Sequence, residues 1–344
     1  MTVLVFLSCC SKGARSEDET QAPTHLSSAA VRAPVVSGSF YPSDPQELRT
    51  LVHSLLQSVR EDPARTVLHD PVEMILVPHA GYLFSGRTQA YAYAEIAGSH
   101  YDTVVLLGSP HRVMVNGASI YCGKGFRMPW GTVPVDRELS EALVKSSDLI
   151  NGEQLPHLPE HSLEVQLPFL SAAVGNFAIV PILVMGDVKT LDTVAAAIIH
   201  EVGKISKKKK LLYVISSDLS HFPKKQDALR CDREIVDAFL SLNAARLLRT
   251  EEEIMKRGIP NLACAMCGID AAYVGLKIAS SIGIREAVLL HRSVSSDAGI
   301  EGASEERVVG YAAVALLSGS PSTGFDFPLK RDERISRELV ENFQ

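Results

Sequence analysis

The amino-acid sequence predicts an α/β protein with a mostly parallel or mixed central sheet that is covered by helices. Short apolar runs rich in β-branched residues alternate along the chain with amphipathic segments of helical period, and this alternation is typical of such sheets. The apolar runs are nearly continuous, as expected of strands that are buried on both faces. With 46% hydrophobic and 22% charged residues, the composition is that of a globular protein rather than a disordered or disulfide-dense one.

The first helix has clear start signals. Asp44 stands in the N-cap position, Pro45 in the first turn and Glu47 in the capping-box position. The apolar runs predict strands at residues 74–77, 103–107, 178–184, 211–215, 287–290 and 308–317. Periodic patterns between these runs predict helices at residues 86–97, 136–145, 163–173, 191–205, 227–240, 244–256 and 269–281.

These elements favour a single domain over residues 31–318, although a length of 344 residues permits two. Residues 319–344 begin as a linker by composition and continue as a predicted short helix with Ile335, Leu339 and Phe343 on one face. Residues 1–30 are predicted to be a disordered N-terminal segment, because most of them are polar or small.

The apolar run at residues 2–10 allows two interpretations. It is far shorter than the ~20 residues that a membrane-spanning helix needs, and no Lys or Arg precedes it, so neither a membrane span nor an ordinary secretory signal is predicted. We therefore expect a cytoplasmic protein. The alternative is a truncated lipoprotein signal, which would anchor the chain through Cys9 and make residues 11–30 a polar tether.

Charge and cysteine spacing narrow the function classes. The 34 basic and 40 acidic residues give a net charge of −6, so no broad basic surface is available and nucleic acid is not expected as a partner. The six cysteines do not form a disulfide framework, because two are adjacent, two stand alone, and Cys264 and Cys267 form a C-x-x-C. Metal or thiol chemistry therefore stays open.

Polar residues follow three of the predicted strands at the point where each strand ends. His79 follows the first in PHAGY (78–82), His111 follows the second in GSPH (108–111), and Asp218 and His221 follow another in SSDLSHF (216–222). Open α/β sheets bind ligands beyond the carboxyl ends of their strands. One such His alone is more simply a capping residue, but three at the same topological position indicate a shared site.

Two further segments fit this site. Glu160 and His161 open a predicted helix, where they either cap its first turn or face a metal or substrate. Cys264 and Cys267 precede the helix predicted at residue 269, and a helix N-terminus favours the thiolate that binds a metal. The alternative for the two cysteines is that they are buried and inert.

Imidazole and thiolate ligands together suit iron, copper or zinc rather than magnesium or calcium. His79, His111 and Cys264 would supply three ligands and leave open positions, as catalytic sites do. His221 and Asp218 would then act as acid–base or supporting groups. We predict a transition metal ion as cofactor, and these residue types leave iron, copper and zinc open.

Six motifs, in this order, resemble those of the Memo family, whose bacterial members are called AmmeMemoRadiSam system protein B. They are GSFYPSD (38–44), VPHAGYLFSG (77–86), LLGSPHRV (106–113), PEHSLEVQLPFL (159–170), SSDLSHF (216–222) and ACAMCGI (263–269). The resemblance covers about residues 31–317 and implies a fold similar to that of class III extradiol dioxygenases, which are non-haem iron enzymes with a 2-His-1-carboxylate site. The family's two His and one Cys map onto His79, His111 and Cys264, and its Asp and His onto Asp218 and His221.

The match departs from the dioxygenases at one ligand. Cys264 stands where those enzymes have a carboxylate, and a thiolate is a softer ligand that oxidises beside oxygen. Cys267 adds a second thiol, which would rescue Cys264, compete with it or form a disulfide with it. Glu160, His161, Tyr82 and Cys267 are expected to support the ligands or to contact a substrate.

Three functions follow from these observations. The first is a dioxygenase-like, metal-dependent oxidoreductase acting on an unknown small molecule, with His221 moving protons and Asp218 orienting it. The second is a non-catalytic metal- or ligand-binding module, for which the family name implies a radical SAM protein and a related pathway protein as partners. The third is a zinc-dependent hydrolase, which we rank last because the sequence has no H-E-x-x-H motif.

Overall fold

The structure, a computed structural model, describes residues 30–300 and 303–319. The strands are β1 (Val31–Arg32), β2 (Val72–Val77), β3 (Thr103–Gly108), β4 (Gly117–Ile120), β5 (Gly125–Met128), β6 (Gly131–Pro134), β7 (Ile150–Asn151), β8 (Ala178–Met185), β9 (Leu211–Ser216), β10 (Glu286–Val294) and β11 (Gly310–Leu317). The α-helices are α1 (Pro45–Arg60), α2 (Tyr82–Ile96), α3 (Arg137–Ser146), α4 (Leu167–Val174), α5 (Val188–Ile205), α6 (Lys225–Leu240), α7 (Ala244–Lys256) and α8 (Ile269–Ser281).

Eight of the strands form one mixed sheet in the order β10-β11-β2-β9-β3-β8-β4-β7. The four central strands β2, β9, β3 and β8 are parallel to one another. At one edge β11 pairs antiparallel with β2 and β10 pairs antiparallel with β11, and toward the other edge β4 pairs antiparallel with β8. Strands β1, β5 and β6 form a small second sheet. The predicted α/β fold with a mixed central sheet is confirmed. Similarity to the dioxygenases stays a prediction.

Helices cover both faces of the large sheet. Along β2 the side chains of Met74 and Leu76 pack into one apolar core, and those of Ile75 and Val77 pack into a second. Helices α1, α2 and α4 contribute to the second core, and α3 and α5 to α8 contribute to the first. The sheet is therefore buried on both sides, which explains why its strands read as continuous apolar runs.

The predicted helix starts and ends are mostly close to the observed ones. Asp44 caps α1 by accepting hydrogen bonds from the backbone N–H groups of Gln46 and Glu47. Helix α2 begins at Tyr82, four residues before the predicted start, and the segment predicted from residue 163 begins with a 3₁₀ turn, Glu164–Gln166, before α4. Strands β4 to β7 were not predicted, because runs of two to four residues are too short to show a period.

The chain ends carry predictions that lie outside the described residues. These are the disordered segment and lipid anchor proposed around Cys9 and the short helix proposed near the C-terminus. Within the part of the chain that the structure describes, no helix combines the length and the apolar character required to cross a bilayer.

Candidate metal centre

Three neighbouring strands carry the predicted site. Strand β9 pairs in parallel with β2 on one side and with β3 on the other. Their carboxyl ends lead directly into the segments that carry His79, His111 and the pair Asp218 and His221. The topology therefore brings together the polar segments that the sequence placed at one edge of the sheet.

Hydrogen bonds fix the tautomer of His79. Its Nδ1 atom lies 2.9 Å from the hydroxyl of Ser216. That hydroxyl donates to the carbonyl of Ser162 at 2.8 Å and accepts from the side-chain amide of Gln166 at 2.9 Å. Since its one hydrogen is used, the hydroxyl must accept from Nδ1–H of His79. The Nε2 lone pair of His79 therefore faces the site, and burial lowers the pKa of this imidazole well below its usual value, which keeps that lone pair available.

Glu160 fixes His111 in the same way. One carboxylate oxygen of Glu160 lies 2.9 Å from Nδ1 of His111, and the other accepts from the backbone N–H of His111 at 2.7 Å. The first oxygen also accepts from the backbone N–H groups of His161 and Ser162 at 2.9 and 2.8 Å. Burial raises the pKa of Glu160, but its hydrogen bond to His111 and the charge of that residue outweigh burial and hold the pKa below the usual range.

The thiol that completes this group belongs to Cys267, not to Cys264. Sγ of Cys267 lies 3.3 Å from Nε2 of His79, and the ligand atoms of His79, His111 and Cys267 all lie within 4.8 Å of one another. Burial lowers the pKa of His111, but hydrogen bonds to Cys267 and Glu160 outweigh it and raise this pKa to about 11. The prediction of Cys264 as third ligand therefore differs from the structure. The spacing of the C-x-x-C motif could not reveal which thiol turns toward the imidazoles.

Gly268 allows Cys267 to approach the end of β9. A Cβ atom on Gly268 would lie 2.6 Å from Cβ of Ser217 and 2.7 Å from the carbonyl oxygen of Ser216, which is closer than real Cβ contacts. The backbone N–H of Gly268 instead donates to the hydroxyl of Ser217 at 2.8 Å. The start of α8 is thus in direct contact with the loop after β9.

His221 is oriented by backbone rather than by Asp218. Its Nδ1 atom lies 2.9 Å from the carbonyl of Leu219, and a carbonyl only accepts, so Nδ1 carries the hydrogen and Nε2 the lone pair. Sγ of Cys264 lies 3.4 Å from the same Nδ1. Burial lowers the pKa of His221. Phe222, the next residue, has a φ of 74°, a strained value for a bulky residue that turns the chain sharply after His221.

Asp218 supports the turn that carries His79. One of its carboxylate oxygens accepts from the backbone N–H groups of His79 and Ala80 at 2.8 and 3.3 Å, and the other lies 4.0 Å from Nε2 of His79. Burial raises the pKa of Asp218. The orienting role that the sequence suggested for Asp218 toward His221 is replaced in the structure by these contacts to residues 79–80.

His161 and Tyr82 have different surroundings. The ring centroid of His161 lies 5.3 Å from that of His79 and 4.8 Å from that of His111, and burial lowers its pKa to about 4. His161 is therefore a neutral imidazole beside the two ligands. The hydroxyl of Tyr82 donates to the carbonyl of Val165 at 2.7 Å, and its ring is part of the apolar core, so its contacts support the fold.

His111, Glu160 and His161 form a second group of potential ligand atoms. The two oxygens of Glu160, however, already accept four hydrogen bonds. A carboxylate that accepts four hydrogen bonds has its lone pairs occupied and is a poor ligand for a cation. We therefore interpret Glu160 as the residue that orients His111.

A buried ion pair that the sequence did not predict supports the Glu160 segment. Arg32 pairs with Glu164 at 2.7 Å and donates to the carbonyls of His157 and Glu160. Glu164 also accepts from the hydroxyl of Tyr41 at 2.6 Å. More than 120 positions separate Arg32 from these partners, so no local pattern in the sequence indicates the contact. By contrast, Gln166 and Ser216, which form the hydrogen bonds behind His79, are polar residues within the motifs that the sequence analysis identified.

The donor atoms fit a transition metal. Two imidazole Nε2 atoms and one thiol converge, and both imidazoles donate their Nδ1–H groups outward, to a hydroxyl and to a carboxylate. Metal-binding His residues typically have this arrangement, because the outer hydrogen bond fixes the tautomer and the ring orientation. Nitrogen and sulfur donors favour zinc, copper or iron over magnesium or calcium.

An α/β sheet with two oriented imidazoles and a thiol at its carboxyl edge defines a candidate metal-binding protein. Residues 32–315 match the family described as Memo-like protein. A MEMO1 family protein of Aquifex aeolicus is 36% identical over 268 residues, which are 78% of this chain and 93% of the relative. The chain belongs to the Memo family.

Archaeal relatives agree with this assignment. A MEMO1 family protein of Methanopyrus kandleri is 31% identical over 300 residues, covering 84% of this chain and 99% of the relative. Another, from Sulfolobus acidocaldarius, is 34% identical over 295 residues, covering 83% and 98% of the two chains. The family that the six motifs indicated is thereby confirmed.

Proposed function

We propose that this Memo-family protein binds a transition metal ion through Nε2 of His79, Nε2 of His111 and Sγ of Cys267. The observation that carries the proposal is the convergence of these three donors within 4.8 Å with both imidazole tautomers fixed from outside. Three protein ligands leave open positions for a small molecule. Iron or copper is our first choice, and zinc is the alternative with the same donors.

Cobalt substitution of the purified protein tests this ligand set. Thiolate ligation gives Co²⁺ an intense sulfur-to-metal charge-transfer band, which we expect in the wild type and in Cys264→Ser but not in Cys267→Ser. The two serine variants are matched controls, because both remove one thiol of the same C-x-x-C motif. A band that is lost in Cys264→Ser and retained in Cys267→Ser would contradict the proposal. Metal analysis after anaerobic purification identifies the resident ion.

We further propose that the site supports oxidoreductase chemistry on a small molecule. A bound iron or copper ion would supply redox and Lewis-acid chemistry. His221 then exchanges a proton at Nε2, since its Nδ1–H is engaged by the carbonyl of Leu219. His161 is a second neutral imidazole beside His79 and His111, where it orients a substrate by hydrogen bonding.

Oxygen consumption by metal-loaded protein tests the redox function. We expect uptake with at least one member of a panel of small aromatic and thiol substrates, and a reduction of about 100-fold or more in His221→Gln. The metal content of His221→Gln serves as the control and should be unchanged. If the loaded wild type consumes no oxygen across the panel, the oxidoreductase function is contradicted.

Exposed apolar residues favour a second candidate function, a non-catalytic module that acts with partner proteins. Four exposed large apolar side chains lie on segments that build the site, and Leu83 and Met114 are the most exposed, at 69% and 67%. The others are Val35 and Leu155. We propose that these side chains belong to one apolar contact surface, because exposed apolar patches are typical of interaction sites. The bacterial name given above with the six motifs, AmmeMemoRadiSam system protein B, suggests a radical SAM protein and a related pathway protein as partners.

Direct binding measurements separate this second function from the first. We expect Leu83→Ser with Met114→Ser to weaken association with the radical SAM protein of the same system at least about tenfold. A control variant at exposed Val67, which lies in the segment between α1 and β2, should bind normally. Equal affinity of all three proteins for the partner would contradict the module.

A further inference from the structure

The thiols of Cys264 and Cys267 pack against the same loop, residues 217–221. Sγ of Cys267 accepts a hydrogen bond from the backbone N–H of Asp218 at 3.3 Å, and Sγ of Cys264 lies 3.4 Å from Nδ1 of His221. Backbone hydrogen bonds repeat this pairing, because Asp218 accepts from Cys267 at 3.3 Å and Cys264 accepts from His221 at 3.0 Å. The loop therefore holds both thiols on one surface, three residues apart.

Neither Cys264 nor Cys267 is fully buried in the fold. Cys264 and Cys267 are half-buried, whereas Cys231 is buried. Nδ1 of His221 carries a hydrogen, as its contact with the Leu219 carbonyl requires. This N–H is shared between the Leu219 carbonyl and the sulfur of Cys264, so it also stabilises negative charge on that sulfur, and a charged sulfur is the nucleophile in thiol oxidation.

We propose that Cys264 and Cys267 form a disulfide when the protein meets a peroxide, and that the disulfide disables the metal centre. The C-x-x-C spacing is the one that dithiol oxidoreductases use to close and open a disulfide. Cys267 has one sulfur to offer, either to a metal or to Cys264. The disulfide and the three-ligand centre therefore exclude one another, and this consequence rests on the proposed function.

The reaction proceeds in two balanced steps. The sulfur of Cys264 attacks one oxygen of hydrogen peroxide, the O–O bond breaks, and a sulfenic acid and one water form. The sulfur of Cys267 then attacks the sulfenic sulfur, the S–S bond forms and the S–O bond breaks. The departing hydroxide takes the thiol proton of Cys267 and leaves as a second water. Two thiols are oxidised and one peroxide is reduced.

Peptide mapping of metal-free protein tests the disulfide by itself. Trypsin releases residues 258–277 as one peptide, which contains Cys264 and Cys267 and no other cysteine. After treatment with one equivalent of hydrogen peroxide, we expect this peptide to lose two hydrogens and to resist alkylation until dithiothreitol is added. Cys264→Ser and Cys267→Ser should abolish this product. The control Cys122→Ser, which changes another half-buried thiol, should retain it.

Two results of this mapping would overturn the proposal. One is a peptide in which both thiols remain open to alkylation after the peroxide. The other is oxidation of either sulfur to a sulfinic or sulfonic acid without a cross-link. Oxidation of Met266 in the same peptide adds an oxygen rather than removing hydrogens, so it cannot be mistaken for the disulfide.

Cobalt binding tests the consequence for the metal centre. We expect oxidised wild type to bind Co²⁺ more weakly than reduced protein by well over about 100-fold, because loss of a ligand should exceed the 10- to 100-fold loss typical of changes around a ligand. Cys264→Ser treated with peroxide should keep its affinity. Unchanged binding in the oxidised wild type would overturn the proposed loss of the centre. Failure of the reduced protein to bind Co²⁺ would instead contradict the proposed function, while the disulfide result would stand.

Discussion

Nε2 of His79 lies 3.3 Å from Sγ of Cys267, although 188 positions separate the two residues. His79 follows β2, and Cys267 precedes α8, which packs against β9. Since β2 and β9 are paired neighbours, the contact is a direct product of the strand order. A change that shifts the start of α8, or the outer hydrogen bonds of the imidazoles, should therefore alter metal binding.

Replacement of Glu160 by Gln should weaken metal binding by about 10- to 100-fold, the range typical of residues that orient a ligand. The amide would offer one acceptor where the carboxylate accepts four hydrogen bonds, two of them from His111. Competition with a chelator measures the affinity. Glu153→Gln, an exposed change nearby, should have no effect. Wild-type affinity in Glu160→Gln would show that His111 does not depend on this carboxylate.

Replacement of Gly268 by Ala should lower both the free energy of unfolding and the metal affinity. The added methyl group would meet Ser217 and the Ser216 carbonyl at distances that require the start of α8 to move, and a loss of about 1–3 kcal/mol is typical of such overpacking. Gly203→Ala is the matched control, because a Cβ there meets nothing within 4 Å and α5 should gain about 0.5–1 kcal/mol. Equal effects of the two substitutions on unfolding in urea would contradict this account.

Replacement of Glu164 by Gln should reduce the free energy of unfolding by about 3–5 kcal/mol, because it leaves the charge of Arg32 buried without its counter-ion. Side-chain exposures of 1% and 0% show how completely this pair is removed from water. Chemical denaturation measures the change. The exposed pair between Arg137 and Glu141 has the same separation of 2.7 Å, and Glu141→Gln should cost at most about 0.5 kcal/mol. Similar losses in the two variants would disprove the dependence on burial.

Asp232 should make the protein less stable as the pH rises. Burial raises the pKa of Asp232 to about 7 from a model-peptide value of 3.8. Between these two values the unfolded chain releases a proton that the folded chain retains, so the free energy of unfolding falls as the pH rises through this window and then levels off. The loss is at most about 4 kcal/mol.

Asp232→Asn isolates this contribution. Its Oδ1 can still accept the backbone N–H of Ser220, which lies 3.0 Å from Asp232 in the wild type. We expect the variant to gain stability relative to wild type between pH 4 and pH 8 in parallel urea titrations. Asp237→Asn, an exposed change on the same helix, should follow the wild type. A wild-type pH profile in Asp232→Asn would exclude Asp232 as the source.

The sequence predicted the fold class and two of the three donors for identifiable reasons. Continuous apolar runs and the helical period of apolar residues are directly visible in the amino-acid sequence, so the sheet and its covering helices were predicted. His79 and His111 follow strands that turn out to be separated only by β9. Their position at strand ends was sufficient to predict them.

The remaining contacts depend on geometry that no local pattern records. A spacing of three residues does not show which of Cys264 and Cys267 turns toward the imidazoles. The sequence allowed Glu160 to cap a helix or to face a metal, and the structure shows it accepting backbone N–H groups while it orients His111. Arg32 gave no signal, because its partners become neighbours only after β1 packs beside the 3₁₀ turns.

The carboxylate behind His111 also sets the charge that the centre can accommodate. In the proposed centre a metal replaces the proton on Nε2 of His111, so both imidazoles are neutral, Glu160 and a thiolate at Cys267 together carry two negative charges, and burial opposes ionisation of Asp218. A divalent cation would make this cluster electrically neutral, whereas a monovalent or trivalent ion would leave an unbalanced charge away from water. Since an uncompensated buried charge costs several kcal/mol, we expect the resting ion of the proposed centre to be divalent.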